Sequence, residues 1–137
     1  MTEQLLVGRV VVVAGTQPQL QQVAEAVVAA GARVAVVSPR LQVDGAVVVF
    51  RTEPGDASVW DRVAMHVEQH LGPVDGVVTD PPAAPVVTSV FAPDIARRGH
   101  GDVVVVTADD DPVGVVTRLC GTRRAAPARS PDGAADR

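Results

Sequence analysis

The stretch GRVVVVAGTQPQLQQVAEAVVAAGARVAVVSP, from Gly8 to Pro39, decides the fold. A β-branched run over residues 9–14 leads into a glycine turn, a helical pattern covers residues 17–30, and a second Val-rich run occupies residues 33–37. Both runs are almost uniformly apolar, which indicates strands covered on both faces, as in a parallel sheet. The stretch therefore predicts a strand–helix–strand unit, and such units commonly open folds that bind dinucleotides.

The helix inside this unit has its own start and stop signals. Thr16 is expected to cap the first turn with Gln19 as its capping-box partner, because these side chains can satisfy the free N–H groups there. Gly31 suits the left-handed position beyond the last turn. The i, i+3, i+4 spacing predicts a buried face made of Leu20, Val23, Ala24, Val27 and Ala30.

The link after the second strand is short. Only residues 38–45 separate that strand from a third over residues 46–50, so a crossover helix barely fits. We expect a mostly extended or one-turn link to a parallel third strand. An antiparallel hairpin through Asp44 and Gly45 is the alternative.

A second amphipathic helix is predicted over residues 57–71. Asp56 or Ser58 caps its start, and the sequence Gly-Pro after Leu71 ends it. The predicted core face consists of Trp60, Val63, Ala64, Val67 and Leu71.

Prolines and glycines divide the second half of the chain. A fourth strand over residues 75–79 runs into the proline-rich residues 80–85, which predict neither helix nor central strand. A weak helix is expected over 88–98 and a fifth strand over 102–107. Residues 113–119 suit either a last strand or a short helix.

The domain organisation follows from this alternation. We expect a single domain over residues 1–120, with a core of Val, Ala and Leu because aromatic residues make up only 2% of the chain. Residues 121–137 are rich in Arg, Ala, Pro, Asp and Gly without periodicity, which predicts a disordered C-terminal tail.

Composition excludes several classes of function. The net charge of −4 and the absence of a basic face argue against partners such as nucleic acid or an anionic membrane surface. There is no basic leader and no apolar run of membrane-spanning length, so a cytoplasmic location is expected. The sequence contains no Lys, Tyr or Asn, which rules out Schiff-base chemistry and any step that needs a phenol beside an ammonium group.

Four short motifs follow one another in a familiar order. A Val run and glycine turn come after Gly8, AGARV occupies 30–34, GPVDGVV occupies 72–78 and RGHGD occupies 98–102. This order resembles the first half of a short-chain dehydrogenase/reductase (SDR) over about residues 8–108. It implies a shortened Rossmann-like, doubly wound α/β sheet of about five mostly parallel strands, ordered 3-2-1-4-5, with helices on both faces.

The cofactor positions of that family are degraded in this sequence. The glycine-rich turn T-G-x-x-x-G-x-G keeps only its first glycine, Gly15, while Gln19 and Gln21 replace the second and third. Arg40 follows the second strand, where an Arg of the family can contact a 2′-phosphate. The resemblance therefore implies Gly15 and Arg40 as vestigial cofactor-binding residues, with no cofactor expected and NAD(P) the candidate if any binds.

The remaining functional positions are also altered. Asp80 stands in the family's N-N-A-G segment and would place a carboxylate near the cofactor crevice. The acidic residue that contacts adenine appears as Thr52, with Glu53 adjacent. The catalytic serine region is the acidic run 109–111, which would repel a phosphorylated cofactor if it faced the crevice. The family's Y-x-x-x-K pair cannot exist here, so no catalytic residue is assigned.

This pattern implies a non-catalytic SDR-like subunit. Its expected partner is a full-length catalytic SDR homologue, which it would stabilise in a hetero-oligomer, because a shortened sheet leaves an edge strand and helix faces uncovered. Residues 86–91 are the candidate contact region. The alternatives are a Rossmann module that binds a nucleotide or other small ligand, and an oxidoreductase subunit whose NAD(P) site is completed by its partner.

Other constellations are weaker. His66 and His70 have metal-binding spacing, but the residue after the first His is not the Glu that zinc proteases require. The run 109–111 is interpreted as a solvated acidic loop, since three consecutive side chains cannot all point at one ion without a special turn. Cys120 has no cysteine partner and is interpreted as a buried or incidental thiol. No metal site is expected.

Overall fold

The computed structural model describes residues 5–98 and 101–125, with side chains described as far as Cys120. Strands and helices alternate through this part of the chain. The strands are β1 (Val10–Ala14), β2 (Arg33–Val37), β3 (Val48–Phe50), β4 (Gly76–Thr79) and β5 (Asp102–Val105). The helices are α1 (Gln19–Ala29), α2 (Trp60–Leu71), α3 (Ala84–Arg98) and α4 (Pro112–Ala125), and a 3-10 turn (Ala57–Val59) leads into α2.

The five strands form one parallel sheet in the order β3-β2-β1-β4-β5. The predicted strand order is therefore confirmed. The short link after β2 leads to a parallel β3, with Ala35 beside Val48 and Val37 beside Phe50, so the antiparallel hairpin is wrong. Ser38 shapes the start of this link, because its hydroxyl accepts the backbone N–H groups of Arg40 and Leu41 at 3.1 and 3.2 Å.

Helices cover the sheet on both faces. Val11 and Val13 of β1 point into a core shared with α1 and α4, whereas Val10 and Val12 point into a core shared with α2 and α3. Alternate residues of each strand therefore enter different cores, which explains why the strands are almost uniformly apolar. Both predicted helix faces are buried, and Ala64 is the one member that is only partly buried. The buried residues are Leu20, Val23, Ala24, Val27 and Ala30 on the first face and Trp60, Val63, Val67 and Leu71 on the second.

Two helices are longer than the sequence predicts, and the helix alternative for residues 113–119 is confirmed. α3 begins at Ala84, so the last residues of the proline-rich segment are helical. Pro85 is accommodated because the first turn of a helix does not need its N–H. Residues 113–119 belong to a helix, not a strand, and α4 extends beyond Gly121 to Ala125. The rest of the predicted disordered tail, residues 126–137, lies outside the described residues.

Long side chains tie the layers together. Arg9 donates from β1's N-terminal side to the Leu119 and Cys120 carbonyls of α4 at 3.0 and 3.2 Å. Arg33 donates to the His70 and Leu71 carbonyls at the end of α2 at 3.1 and 3.0 Å. None of the helices in the described ranges is long and apolar enough to cross a bilayer.

Candidate functional site

The candidate site lies at the carboxyl ends of β1 and β4, where the strand order reverses. In open α/β sheets this switch point is the usual place for ligands. Gly15 follows β1 and Asp80 follows β4, and both are buried. The structure thus brings together two residues that are distant in the sequence, and it confirms the expectation that Asp80 places a carboxylate beside this crevice.

The Asp80 carboxylate accepts backbone hydrogen bonds from both sides of the crevice. Its Oδ2 accepts the N–H groups of Thr16 and Gln17 at 2.8 and 2.9 Å, just before α1. Its Oδ1 accepts the Ala83 N–H at 3.2 Å, just before α3. The Asp80 residue has 0% exposure. A buried negative charge therefore sits at the positive, N-terminal end of α1.

The start of α1 is not capped as the sequence predicted. The capping residue is Pro18, without a side-chain cap bond, so the capping box of Thr16 and Gln19 is wrong. The Gln19 side chain instead donates to the Gln17 side chain at 2.6 Å and to the Val106 carbonyl at 3.2 Å. Asp80 accepts the Thr16 N–H, which Gln19 would have accepted in a capping box, while the Leu20 and Gln21 N–H groups of the first turn donate to the Gln17 and Pro18 carbonyls.

Gly15 is required by its neighbours within the chain. A Cβ added there would lie 2.2 Å from Leu20 Cδ1 and 2.6 Å from Asp80 Oδ2. Both distances are far below an ordinary van der Waals contact. The glycine therefore provides room for the Asp80 carboxylate and the first core residue of α1, which accounts for its presence without any ligand.

A dinucleotide bound to a fold of this kind would place its pyrophosphate at the β1–α1 turn. In such sites the pyrophosphate is bound by free N–H groups at the helix N-terminus. Here the Thr16 and Gln17 N–H groups are already held by a carboxylate, and Pro18 has no N–H to offer. A phosphate would have to displace, or approach, a buried negative charge. The residues at the β1–α1 turn do not fit a pyrophosphate.

The second residue that the resemblance implies for cofactor binding, Arg40, lies in the link after β2. Arg40 is exposed in the link after β2, and its backbone N–H donates to the Ser38 hydroxyl. Its guanidinium has no hydrogen-bond or ion-pair partner among the described side chains. The position is compatible with the expected role, which stays a prediction.

The acidic run after β5 is exposed, and one member has a definite contact. Asp110 Oδ2 accepts the Thr107 N–H at 2.8 Å and the Thr107 hydroxyl at 3.3 Å. The Asp110 carboxylate therefore contacts Thr107, just beyond the end of β5. Thr52 and Glu53 lie in the loop after β3, outside any helix or strand.

The two histidines contact aromatic rings, and the cysteine lies in the hydrophobic core. The His66 and His70 rings stack with centroids 4.0 Å apart, and His66 also meets the Phe50 ring edge-on at 5.3 Å. Across residues 5–98 and 101–125, no group of three or more His, Cys, Asp or Glu side chains is placed to hold a metal ion. Cys120 is buried in the core between the sheet and α4.

A separate open groove of about 1010 Å³ lies between β3 and α2. Phe50, Met65 and His66 line it together with Arg51 and Arg62. Neither Gly15 nor Asp80 contributes to its walls. The groove is therefore distinct from the crevice at the strand switch point.

The fold is a doubly wound, Rossmann-like α/β sheet, and the Asp80 carboxylate accepts the backbone N–H groups of its β1–α1 turn. Comparison with solved structures agrees. The chain is similar to a double mutant of a Serratia marcescens short-chain dehydrogenase/reductase, with a TM-score of 0.57 and 17% identity over 88% of this chain and 67% of that one. It is equally similar in sequence to a Burkholderia xenovorans protein assigned to the same family, with a TM-score of 0.61 and 17% identity over the same shares.

The predicted resemblance to a shortened SDR is thus confirmed at the level of the fold. No model of a protein family matches the sequence. No curated protein matches it either.

Proposed function

We propose that this chain is a non-catalytic subunit with the SDR fold, which associates with and stabilises a full-length catalytic SDR. The Asp80 carboxylate carries the proposal. It occupies the N–H groups at the start of α1 that a cofactor phosphate would need, with 0% exposure and hydrogen bonds to residues 16, 17 and 83. We therefore propose no bound cofactor.

The chain's side-chain chemistry supports the same conclusion. Without Tyr and Lys it cannot supply the phenol and ammonium pair that the resemblance associates with catalysis. The one thiol, Cys120, is buried in the core. A role that needs no chemistry from this chain, such as stabilising another subunit, fits these residues best.

Exposed apolar side chains offer surfaces for a protein partner. Met65 on α2 and Val113 on α4 are 56% and 67% exposed, and Val49 on β3 is 37% exposed. In contrast, the predicted contact region 86–91 lies on α3, where Val87 and Phe91 are buried against the sheet. A partner would therefore find more apolar surface on α2, α4 and β3 than on α3.

Nucleotide binding provides the first test. The melting temperature of the purified chain should not change with millimolar NAD, NADP or AMP. A ligand at 100 times its dissociation constant would add about 2.7 kcal/mol to the free energy of unfolding. A catalytically active SDR treated in the same way serves as the positive control. A clear rise for this chain would instead support the nucleotide-binding module.

The partner provides the second test. A tagged chain recovered from its native host should bring a full-length dehydrogenase in fixed stoichiometry, identified by mass spectrometry and sized as a native complex. The purified partner should then melt at a higher temperature with the chain than without it, while its activity should survive Arg40→Ala in the chain. Recovery of the chain alone, as a monomer or homodimer, would contradict the proposal. Loss of activity with Arg40→Ala would favour an oxidoreductase site completed between two subunits.

A further inference from the structure

The open edge of β5 has an unexpected arrangement of hydrogen bonds. The Val106 N–H donates to the Thr79 carbonyl of β4 at 2.7 Å. Because backbone groups alternate sides along a strand, residues 103 and 105 of β5 turn their N–H groups away from β4, and Thr107 follows just beyond the end of the strand. No other strand of the described residues pairs with this side of β5. Such outward N–H groups are normally a template for a further strand.

Carboxylates accept the Val103 N–H within β5 and the Thr107 N–H just beyond its end. Asp102 Oδ1 accepts the Val103 N–H at 2.8 Å, and Asp110 Oδ2 accepts the Thr107 N–H at 2.8 Å. We call Asp102 and Asp110 the edge cap. The Val105 N–H, between them, is the outward group without such a cap.

Further contacts hold the edge cap in place. Arg118 of α4 donates from Nε to Asp102 Oδ2 at 3.1 Å, so this carboxylate is fixed between strand and helix. Asp110 also accepts the Thr107 hydroxyl at 3.3 Å. The two carboxylates therefore bracket the exposed part of the edge, near Val105, which is itself 39% exposed.

We propose that the edge cap closes β5 against strand addition. An incoming strand would have to displace both carboxylates from the N–H groups and place its own carbonyl oxygens beside their negative charges. This inference does not depend on the proposed function. It limits the surfaces that the proposed partner can use, because a protein partner would have to bind a helical face or the β3 side of the sheet instead of extending β5.

Amide hydrogen exchange tests the edge cap directly. In the wild-type chain the Val103 and Thr107 amides should exchange more slowly than the Val105 amide. Asp110→Ala should accelerate exchange at Thr107 about tenfold, since it removes that amide's acceptor. Asp109→Ala is the matched control, because it removes the same charge from the same loop and should leave Thr107 unchanged. Equal Thr107 rates in the two variants, or a Val105 amide as slow as its neighbours, would overturn the proposal.

Association supplies a second readout. The double variant Asp102→Ala/Asp110→Ala should form dimers or larger species as its concentration rises, measured by size-exclusion chromatography with light scattering. Asp102→Asn keeps an oxygen acceptor for Val103 and should remain monomeric if the wild type is. A double variant that is folded, exchanges rapidly at Thr107 and associates no more than wild type would show that the edge cap does not prevent pairing. If the double variant does not fold, the exchange comparison above still decides.

Discussion

Removing the Asp80 carboxylate should destabilise the protein, because the hydrogen bonds that connect the β1–α1 turn to the β4–α3 turn are lost. The carboxylate joins the β1–α1 turn to the β4–α3 turn through N–H groups at 2.8, 2.9 and 3.2 Å. Asp80→Ala removes the acceptor of the Thr16 and Gln17 N–H groups and withdraws the negative charge from the α1 N-terminus, while the Ala83 N–H keeps its bond to the residue-80 carbonyl. Asp80→Asn keeps one oxygen acceptor but turns an amide N–H₂ toward backbone donors, so its effect should be smaller.

The size of the effect follows from these contacts. A hydrogen bond to a charged group contributes about 1.5–3 kcal/mol. The bonds from residues 16 and 17 share one oxygen, and both residues are only partly buried, so water replaces part of the loss. We therefore expect Asp80→Ala to lower the free energy of unfolding by about 3 kcal/mol and Asp80→Asn by about half of that.

Urea unfolding at neutral pH measures both variants. With an m-value of about 2 kcal/mol/M, the Asp80→Ala midpoint should fall by about 1.5 M. Asp109→Ala removes the same charge from an exposed position and should change the free energy of unfolding by less than about 0.5 kcal/mol. An Asp80→Ala midpoint equal to that of the control would refute the idea that the carboxylate joins the two turns.

A phosphate comparison tests the position of the charge. Once Asp80→Ala frees the N–H groups before α1, inorganic phosphate should raise its unfolding midpoint more than sodium chloride at equal ionic strength. The wild-type chain controls for the general stabilisation that phosphate gives to folded proteins. The same phosphate response in both proteins would mean that Asp80 does not occupy an anion position.

Three further substitutions test the packing and the electrostatics. Gly15→Ala should lower the free energy of unfolding by about 1–3 kcal/mol in a urea titration, because its Cβ would overlap Asp80 Oδ2; a neutral result would contradict the steric argument. The buried Thr79 hydroxyl oxygen has no hydrogen-bond partner among the described residues, so Thr79→Val should raise the thermal midpoint by removing a polar atom that costs about 1 kcal/mol to bury. A lower midpoint would show that the hydroxyl is satisfied. The pKa of Asp56 lies below its ordinary value of 3.8 because its carboxylate accepts hydrogen bonds from the Ser58 side chain and backbone. This contact therefore contributes stability above that pH and loses it as the pH falls through the folded-state pKa. Ser58→Ala should return the pKa toward 3.8 in an NMR titration, and an unchanged pKa would rule out the hydroxyl as its cause.

Much of the sheet could be predicted because its signals are local and repeated. Uniformly apolar strands separated by amphipathic helices allow few arrangements other than a doubly covered parallel sheet. The direction of β3 does not follow from the local pattern, because the link over residues 38–45 permits either a parallel strand or a hairpin. In the parallel arrangement the link crosses the α1 side and buries Leu41 and Val43 there, while Val48 and Phe50 pack against the core on the α2 side.

The helices that the sequence left open have short or mixed patterns. Val115, Val116, Leu119 and Cys120 of α4 are buried, but too few residues separate them for a period of 3.6 to be told from a period of 2. The start of α3 is hard to predict because it lies in a proline-rich segment. Pro85 is tolerated only because it falls in the first turn of the helix, whereas a proline further along would break the helix.

The hydrogen bonds of the site could not be predicted from local sequence. Thr16 and Gln19 form a sequence match to a capping box, yet the acceptor of the Thr16 N–H before α1 is Asp80, which is 64 residues beyond Thr16 in the chain. No window of ordinary length contains both partners. The available signal was an Asp directly after a buried strand that borders the glycine turn, which predicted its location but not its hydrogen bonds.

Gly15 and Asp80 have to be interpreted together, because they are in contact. Gly15 alone would look like the remnant of a cofactor turn, but its missing Cβ makes room for Asp80 and Leu20. Substituting Gly15 therefore perturbs the fold whether or not a nucleotide binds, so loss of function in such a variant would not identify a cofactor site. Asp80→Ala separates the two explanations, because it opens the N–H groups before α1 while leaving Gly15 in place. If phosphate then stabilises the variant but not the wild type, the glycine turn retains the geometry of an anion site and the carboxylate is what closes it.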